Sequence, residues 1–154
     1  MVGVVAGEAR AAEQARAEPD ISAPAAVVVD AEDGHVLYRR SAFSRRAIAS
    51  ATKLMTALIV LEELPLRRRL EAAPYSPGPL ESRIDLEPGE RMAVGDLLRG
   101  LLLESANDAA VTLAVGAAGS VGRFVKQMDE RAGEVGLTDT SYSNPVGFDG
   151  GENF

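Results

Sequence analysis

Two segments near the start of the chain have the apolar pattern of paired β-strands. Residues 25–29 end in a run of valines, and residues 35–38 alternate apolar with polar side chains. Asp33-Gly34 lies between them and supplies the residues that tight turns favour. The pattern predicts a β-hairpin, with His35 as a solvated strand residue.

A second hairpin is predicted in the middle of the chain. Residues 83–86 and 91–94 flank Glu87-Pro88-Gly89-Glu90, and proline at the second position with glycine at the third suits a type II turn. Residues 67–79 are rich in charge and then in Pro, Ser and Gly. They predict a surface excursion before this hairpin.

The longest apolar segment predicts a helix at the centre of the domain. Residues 49–64 are apolar at nearly every helical angle, contain no glycine and end before Pro65. A helix that is apolar all round is normally buried on all sides. We therefore expect the rest of the domain to enclose it.

Three further helices are predicted after the second hairpin. Residues 96–103 and 108–118 are apolar segments separated by a polar break. From Ser120, apolar residues recur at helical spacing, and Gly136 is placed to end that helix as a left-handed cap.

Composition and charge exclude several classes of function. The 154 residues are 46% hydrophobic, which is enough for one globular domain, and no apolar run approaches the ~20 residues of a membrane span. The net charge of −7 argues against nucleic-acid and anionic-membrane partners. Without cysteine and with one histidine, the chain is not expected to bind a metal through those side chains, and we expect no cofactor.

The first twenty residues predict a leader that is distinct from the domain. Ala9-Arg10-Ala11 and Ala15-Arg16-Ala17 have the small-x-small form of a signal-peptidase site. The alternative is an Ala- and Glu-rich tail. We assign residues 1–20 to a leader or signal remnant and residues 21–154 to the domain.

Candidate chemistry begins with Ser50-Ala51-Thr52-Lys53, at the start of the long apolar helix. Residues three positions apart lie on one helix face, so the amine of Lys53 can reach the hydroxyl of Ser50. Burial favours the neutral lysine that a general base requires. The N–H groups of the first helical turn are free to stabilise an oxyanion. The alternative is structural, with Ser50 as a helix cap and Lys53 extended to solvent.

A second polar group falls in the break between two apolar helices. Ser105-Ala106-Asn107 lies where a hydroxyl and an amide can project into a cleft. A local role is again open, because Asn107 or Asp108 can cap the helix that follows. Ser-x-x-Lys followed by Ser-x-Asn and then Lys-Thr-Gly is the motif set that penicillin-binding proteins share with class A β-lactamases.

The sequence resembles the D-alanyl-D-alanine carboxypeptidases, which are low-molecular-mass penicillin-binding proteins and serine peptidases, over residues 25–154. The similar segments are residues 49–57, 86–90, 96–103, 105–110 and 144–147. The resemblance implies an α/β (α+β) fold of the β-lactamase/transpeptidase type. In that fold, a helical cluster with a buried nucleophile helix packs against an antiparallel sheet.

The resemblance also implies roles for four residues. Ser50 would attack the carbonyl between the two terminal D-alanines of a peptidoglycan stem peptide, with Lys53 as its base, and D-alanine would leave an acyl-enzyme. Ser105 would relay protons, and Asn107 would hold the substrate amide and help to fix Lys53. β-Lactam antibiotics would acylate Ser50 in the same way. The site would face the cell wall, in an extracytoplasmic or periplasmic location.

One element of the family pattern is missing from the chain. Its lysines are Lys53 and Lys126, and no Lys-Thr-Gly occurs. In the family, that strand binds the substrate carboxylate and supplies an oxyanion donor. We therefore expect a truncated chain with an incomplete sheet, which penicillin labels poorly. Milder departures are Ile48 and Val146, where many members have Pro and His.

Three alternatives are open. A class A β-lactamase would have Asp in place of Ala106 and a deacylating Glu in a Glu-x-x-Leu-Asn segment, and Glu130, Glu134 and Glu152 lack that context. A catalytically inactive fragment or wall-binding module would keep the helices without a working site. A Ser-His-Asp hydrolase would depend on His35.

Overall fold

The computed structural model describes residues 19–148 and 153–154. The chain divides into two compact units, Met1–Ser44 and Arg45–Phe154. The predicted leader, residues 1–20, lies outside the described residues except for its last two positions.

The first unit contains the predicted hairpin. Strand β1 (Ala26–Val29) pairs with strand β2 (Val36–Arg40) in an antiparallel sheet. The turn closes through hydrogen bonds from Gly34 N to Asp30 O at 2.9 Å and from Asp30 N to His35 O at 2.8 Å. Gly34 has φ +76°, which glycine adopts without steric cost. The first hairpin prediction is confirmed, but His35 is exposed directly before β2 and is not a strand residue.

The described part of the second unit has four α-helices and a two-stranded sheet. The helices are α1 (Thr52–Glu63), α2 (Val94–Leu103), α3 (Asn107–Ala118) and α4 (Val121–Glu134). The strands are β3 (Arg69–Glu71) and β4 (Arg91–Ala93). No single helix among the described residues is long and apolar enough to cross a membrane; α3 and α4, bent by 84°, meet that length and composition only when taken together.

Helix α3 lies at the centre of the core. It packs against α1, α2 and α4. Its apolar residues include several alanines, and Ala109, Ala110 and Ala114 are fully buried. Small side chains let neighbouring helices approach closely. Larger residues of α2 and α4, such as Leu97 and Phe124, are fully buried in the same core. The burial of apolar surface here holds α1 and the break before α3 in place.

Helix α1 is not buried on all sides, so that expectation is wrong. Met55, Ile59 and Val60 face the core and are buried, but Leu54 is 66% and Leu61 55% exposed. The neighbouring helices cover the inward face of α1, and residues seven positions apart share the opposite face. An apolar stripe is therefore left on the outside of α1.

The prediction of the second hairpin is wrong about which strand pairs with β4. Strand β4 pairs with β3, which lies inside the predicted surface excursion, and not with residues 83–86. The carboxylate of Asp108 accepts hydrogen bonds from Ile84 N at 3.1 Å and Leu86 N at 3.0 Å. Because a side chain takes these two N–H groups, residues 83–86 do not need a partner strand.

The turn at residues 87–90 forms as predicted. Glu90 N donates to Glu87 O at 3.0 Å, and Gly89 has φ +82°, as the third position of a type II turn requires. The predicted cap of α4 is also present. Gly136 has φ +81°, and Leu137 N donates back to Ala132 O at 2.8 Å in the pattern of a Schellman motif.

Candidate active site

Ser50 and Lys53 lie together at the start of α1. Ser50 is in the 3-10 turn Ala49–Ala51 and is exposed, whereas Lys53 is only 3% exposed. Lys53 Nζ donates a hydrogen bond to Ser50 Oγ at 3.1 Å. The structural alternative is wrong for both residues, because neither helix start has a side-chain cap and Lys53 does not extend to solvent.

Ser105 reaches the same place from the break between α2 and α3. Its hydroxyl donates to Ser50 Oγ at 2.9 Å, across 55 positions of sequence. Ser105 has φ +55°, a left-handed conformation that costs a non-glycine residue about 1–2 kcal/mol. The backbone strain at the break therefore coincides with a hydroxyl that is aimed at Ser50.

Asn107 is buried at the first position of α3, beside this group. Ala106 is the N-cap residue of α3, so Asn107 does not cap the helix. Its Nδ2 donates to Glu81 Oε2 at 3.2 Å, and its backbone N–H donates to Ser82 O at 2.8 Å. Whether Asn107 helps to fix Lys53 or binds a substrate amide stays a prediction.

A turn near the end of the chain holds Lys53, and the residue pattern did not predict this contact. Lys53 Nζ donates to Val146 O at 2.8 Å, and Thr56 Oγ1, one turn later on α1, donates to Pro145 O at 2.9 Å. Asn144 Oδ1 holds the turn by accepting backbone N–H groups, with Gly147 N nearest at 2.7 Å. The acceptors for Lys53 and Thr56 are backbone carbonyls about 90 positions away, so side-chain motifs do not reveal them.

Gly147 lets this turn touch the start of α1. A Cβ at Gly147 would lie 1.8 Å from Ala49 O, and Gly147 has φ +88°. Ala49, directly before Ser50, has φ +45°. Two unusual backbone conformations thus meet next to the candidate nucleophile. The signal that could have identified this contact is Asn144-Pro145-x-Gly147 in the sequence.

Burial sets the proton affinity of Lys53. It lowers the pKa of Lys53 from 10.5 to about 8, and the negative charge of Glu81 opposes that shift. At neutral pH roughly a tenth of the amine is then unprotonated, against less than a thousandth for an ordinary lysine. Lys53 can therefore act as a base toward the hydroxyl that it contacts.

The arrangement supports nucleophilic attack by a serine hydroxyl. Ser50 Oγ has an amine on one side and a second hydroxyl on the other, and both lie within hydrogen-bond distance. At the start of the helix, Ala51 N donates to Ile48 O at 3.0 Å and Thr52 N donates to Ala49 O, so the expectation that the N–H groups of this turn are free for an oxyanion is wrong for these two. In the described part of the chain, no three acidic or histidine side chains are grouped as a metal ion would require.

Comparison with known proteins places the chain in a family. The family model for D-alanyl-D-alanine carboxypeptidases matches residues 12–154. D-alanyl-D-alanine carboxypeptidase DacF of Bacillus subtilis is 38% identical over 130 residues, which are 81% of this chain and 33% of that protein. The chain thus spans about a third of the length of that relative.

Solved structures show the same fold. D-alanyl-D-alanine carboxypeptidase DacD from Francisella tularensis matches with a TM-score of 0.84 and 30% identity, over 89% of this chain and 34% of that one. Penicillin-binding protein 5 from Haemophilus influenzae matches with a TM-score of 0.79 and 29% identity, over 86% of this chain and 41% of that one. The α+β fold of the penicillin-binding proteins is therefore confirmed, and the chain belongs to the D-alanyl-D-alanine carboxypeptidase family.

Proposed function

We propose that this chain carries the nucleophile of a serine-type D-Ala-D-Ala carboxypeptidase, which removes the terminal D-alanine from peptidoglycan stem peptides through an acyl-enzyme on Ser50. The observation that carries the proposal is the buried amine of Lys53, 3.1 Å from the exposed hydroxyl of Ser50. In this proposal, residues 21–154 are part of the catalytic domain, which is completed by a Lys-Thr-Gly strand, and residues 1–20 are a leader.

Acylation begins when neutral Lys53 accepts the proton of Ser50. Ser50 Oγ then attacks the carbonyl carbon between the two D-alanines, and the carbonyl oxygen gains negative charge. In this proposal, backbone N–H donors beside Ser50 stabilise this charge. Val146 O keeps the nitrogen of Lys53 in place during the transfer.

The leaving amine needs a proton before D-alanine can depart. Ser105 passes it on from Lys53, since its hydroxyl lies 2.9 Å from Ser50 Oγ. The C–N bond breaks, an ester forms on Ser50, and Lys53 is again a neutral base. Water then hydrolyses the ester. Asn107 holds the substrate amide during both halves of the reaction.

The same site accounts for acylation by β-lactams and for the proposed location. A β-lactam presents a strained amide to Ser50, and its ring-opened acyl group leaves slowly. Stem peptides are part of the cell wall, so we place the site outside the cytoplasm, in the periplasm or on the outer face of the cytoplasmic membrane.

The test is labelling with a fluorescent penicillin. We define the extended chain as a longer chain that carries these 154 residues and a Lys-Thr-Gly segment. The extended chain should label strongly, its Ser50→Ala variant should not label, and Ser76→Ala, which changes an exposed loop serine, should label normally. The 154 residues alone should label poorly. Labelling that survives Ser50→Ala would overturn the proposal, and absence of labelling in the extended chain would favour an inactive wall-binding module.

A further inference from the structure

Glu81 has no part in the steps above, yet its carboxylate lies beside Asn107, which does. Oε2 accepts hydrogen bonds from the Tyr75 hydroxyl and from Asn107 Nδ2, the latter at 3.2 Å. Oε1 accepts the N–H of Gly78 at 2.8 Å. Both oxygens are held, so the carboxylate has a fixed position next to Asn107.

The contact determines which end of the Asn107 carboxamide faces Glu81. An ionised carboxylate only accepts hydrogen bonds, so it takes the NH2 end and not the oxygen. Glu81 is ionised at neutral pH, because the hydrogen bond from Tyr75, above all other causes, lowers the pKa of its carboxyl. One N–H of Nδ2 is thus taken by Glu81, and the second N–H and Oδ1 are left for other partners.

Glu81 also contributes charge near the buried amine. Burial lowers the pKa of Lys53, and Glu81 is the charged group that raises it in return. The charged neighbours of this cluster are Arg83, which acts on Glu81 and is paired with Asp85, and Asp108, which acts on Tyr75. Removal of the Glu81 charge therefore acts on Lys53 directly.

We propose that Glu81 is a positioning residue of this site, which fixes the Asn107 carboxamide with its nitrogen toward Glu81 and adds a negative charge that acts on Lys53. A role for Glu81 in catalysis rests on the proposed function, because the protonation of Lys53 and the orientation of Asn107 affect a reaction only if Ser50 is the nucleophile. Its test does not depend on catalysis.

Lysine labelling tests the charge. The chain has two lysines, Lys53 and Lys126, so NMR of lysine-labelled protein follows Lys53 with Lys126 as an internal control. In Glu81→Gln the titration midpoint of Lys53 should fall by about half a pH unit or more, because a nearby negative charge is lost. Glu87→Gln removes a neighbouring exposed carboxylate and should leave the midpoint unchanged. An unchanged midpoint in Glu81→Gln, or an equal shift in Glu87→Gln, would overturn the electrostatic role.

Asparagine labelling tests the orientation. The asparagines are Asn107, Asn144 and Asn153, so a chain labelled with 15N at asparagine resolves the Asn107 amide. Hydrogen exchange at Asn107 Nδ2 should quicken about tenfold or more in Glu81→Ala, because a hydrogen bond to a charged acceptor is lost, and it should change less in Glu81→Gln, which keeps an acceptor. Equal exchange in the wild type and Glu81→Ala would overturn the orientation. If the extended chain fails to label with penicillin while these shifts appear, the proposed function fails and the positioning stands.

Discussion

The break between α2 and α3 places polar side chains in two regions. In one region they contact the exposed side chain of Ser50, and in the other they bind backbone N–H groups. On one side, Ser105 joins Ser50 and Lys53, and the nucleophile at the centre of that group is exposed. On the other side, Asp108 is buried and accepts the backbone N–H groups of Ile84, Leu86 and Ala109. Substrate can replace the partners of Ser50, whereas Asp108 is fully engaged in holding a loop. Both sides of the break are polar. They differ in that Ser50 is exposed, and we take that side, with Ser50, Lys53 and Ser105, as the reactive side.

Removing the amine from the reactive side should have the largest effect. Lys53→Met keeps a long apolar stem but deletes the base, so the rate of penicillin acylation of the extended chain should fall about a thousandfold. Lys126→Met, on the exposed side of α4, is the matched control and should acylate at the normal rate. A Lys53→Met protein that acylates within a few-fold of the wild type would show that Lys53 is not the base.

Gly147→Ala should have the next largest effect, because it separates the turn from α1. The new Cβ would overlap Ala49 O, so the turn must shift and the Val146 carbonyl must move from Lys53. A displacement of about 1 Å in such a contact costs roughly a hundredfold in rate. Gly133→Ala, in α4 with nothing within 4 Å of its Cβ position, should acylate normally. Normal acylation by Gly147→Ala would mean that this turn does not position the base.

The fold was largely predictable where the causes are local, and less so where they are distant. The Asp33-Gly34 turn, the Gly136 cap and the break at Ser105 follow from neighbouring residues, and each is present in the structure. The partner of β4 was not predictable, because the carboxylate of Asp108, more than twenty positions along the chain, takes the N–H groups of Ile84 and Leu86. The same holds for the site. The contact between Ser50 and Lys53 was predictable because they share one helical turn, whereas the contact of Lys53 with Val146 O was not, because a backbone carbonyl leaves no side-chain pattern in the sequence.

On the side of the break where Asp108 holds the loop, Asp108→Asn should lower the stability of the fold. An amide has one acceptor oxygen and places an NH2 against a backbone N–H, so the free energy of unfolding should fall by about 2 kcal/mol in urea titrations. The control is Asp96→Asn, whose exposed pair with Arg99 should be worth less than about 0.5 kcal/mol. Equal stability of Asp108→Asn and the wild type would contradict a holding role for Asp108.

The most direct test of the central claim is the pH dependence of the rate at which penicillin acylates Ser50 in the extended chain. The pKa of Lys53 is lowered to about 8. Below pH 8 the neutral base should therefore become about tenfold more abundant with each unit by which the pH rises, and its abundance should level off above the pKa. The acylation rate should rise in the same way, reach half of its maximum near pH 8 and become constant about one pH unit above that, with the adduct mapped to Ser50. A rate that is flat from about pH 6 to about pH 10, the range that spans this pKa, would contradict the account.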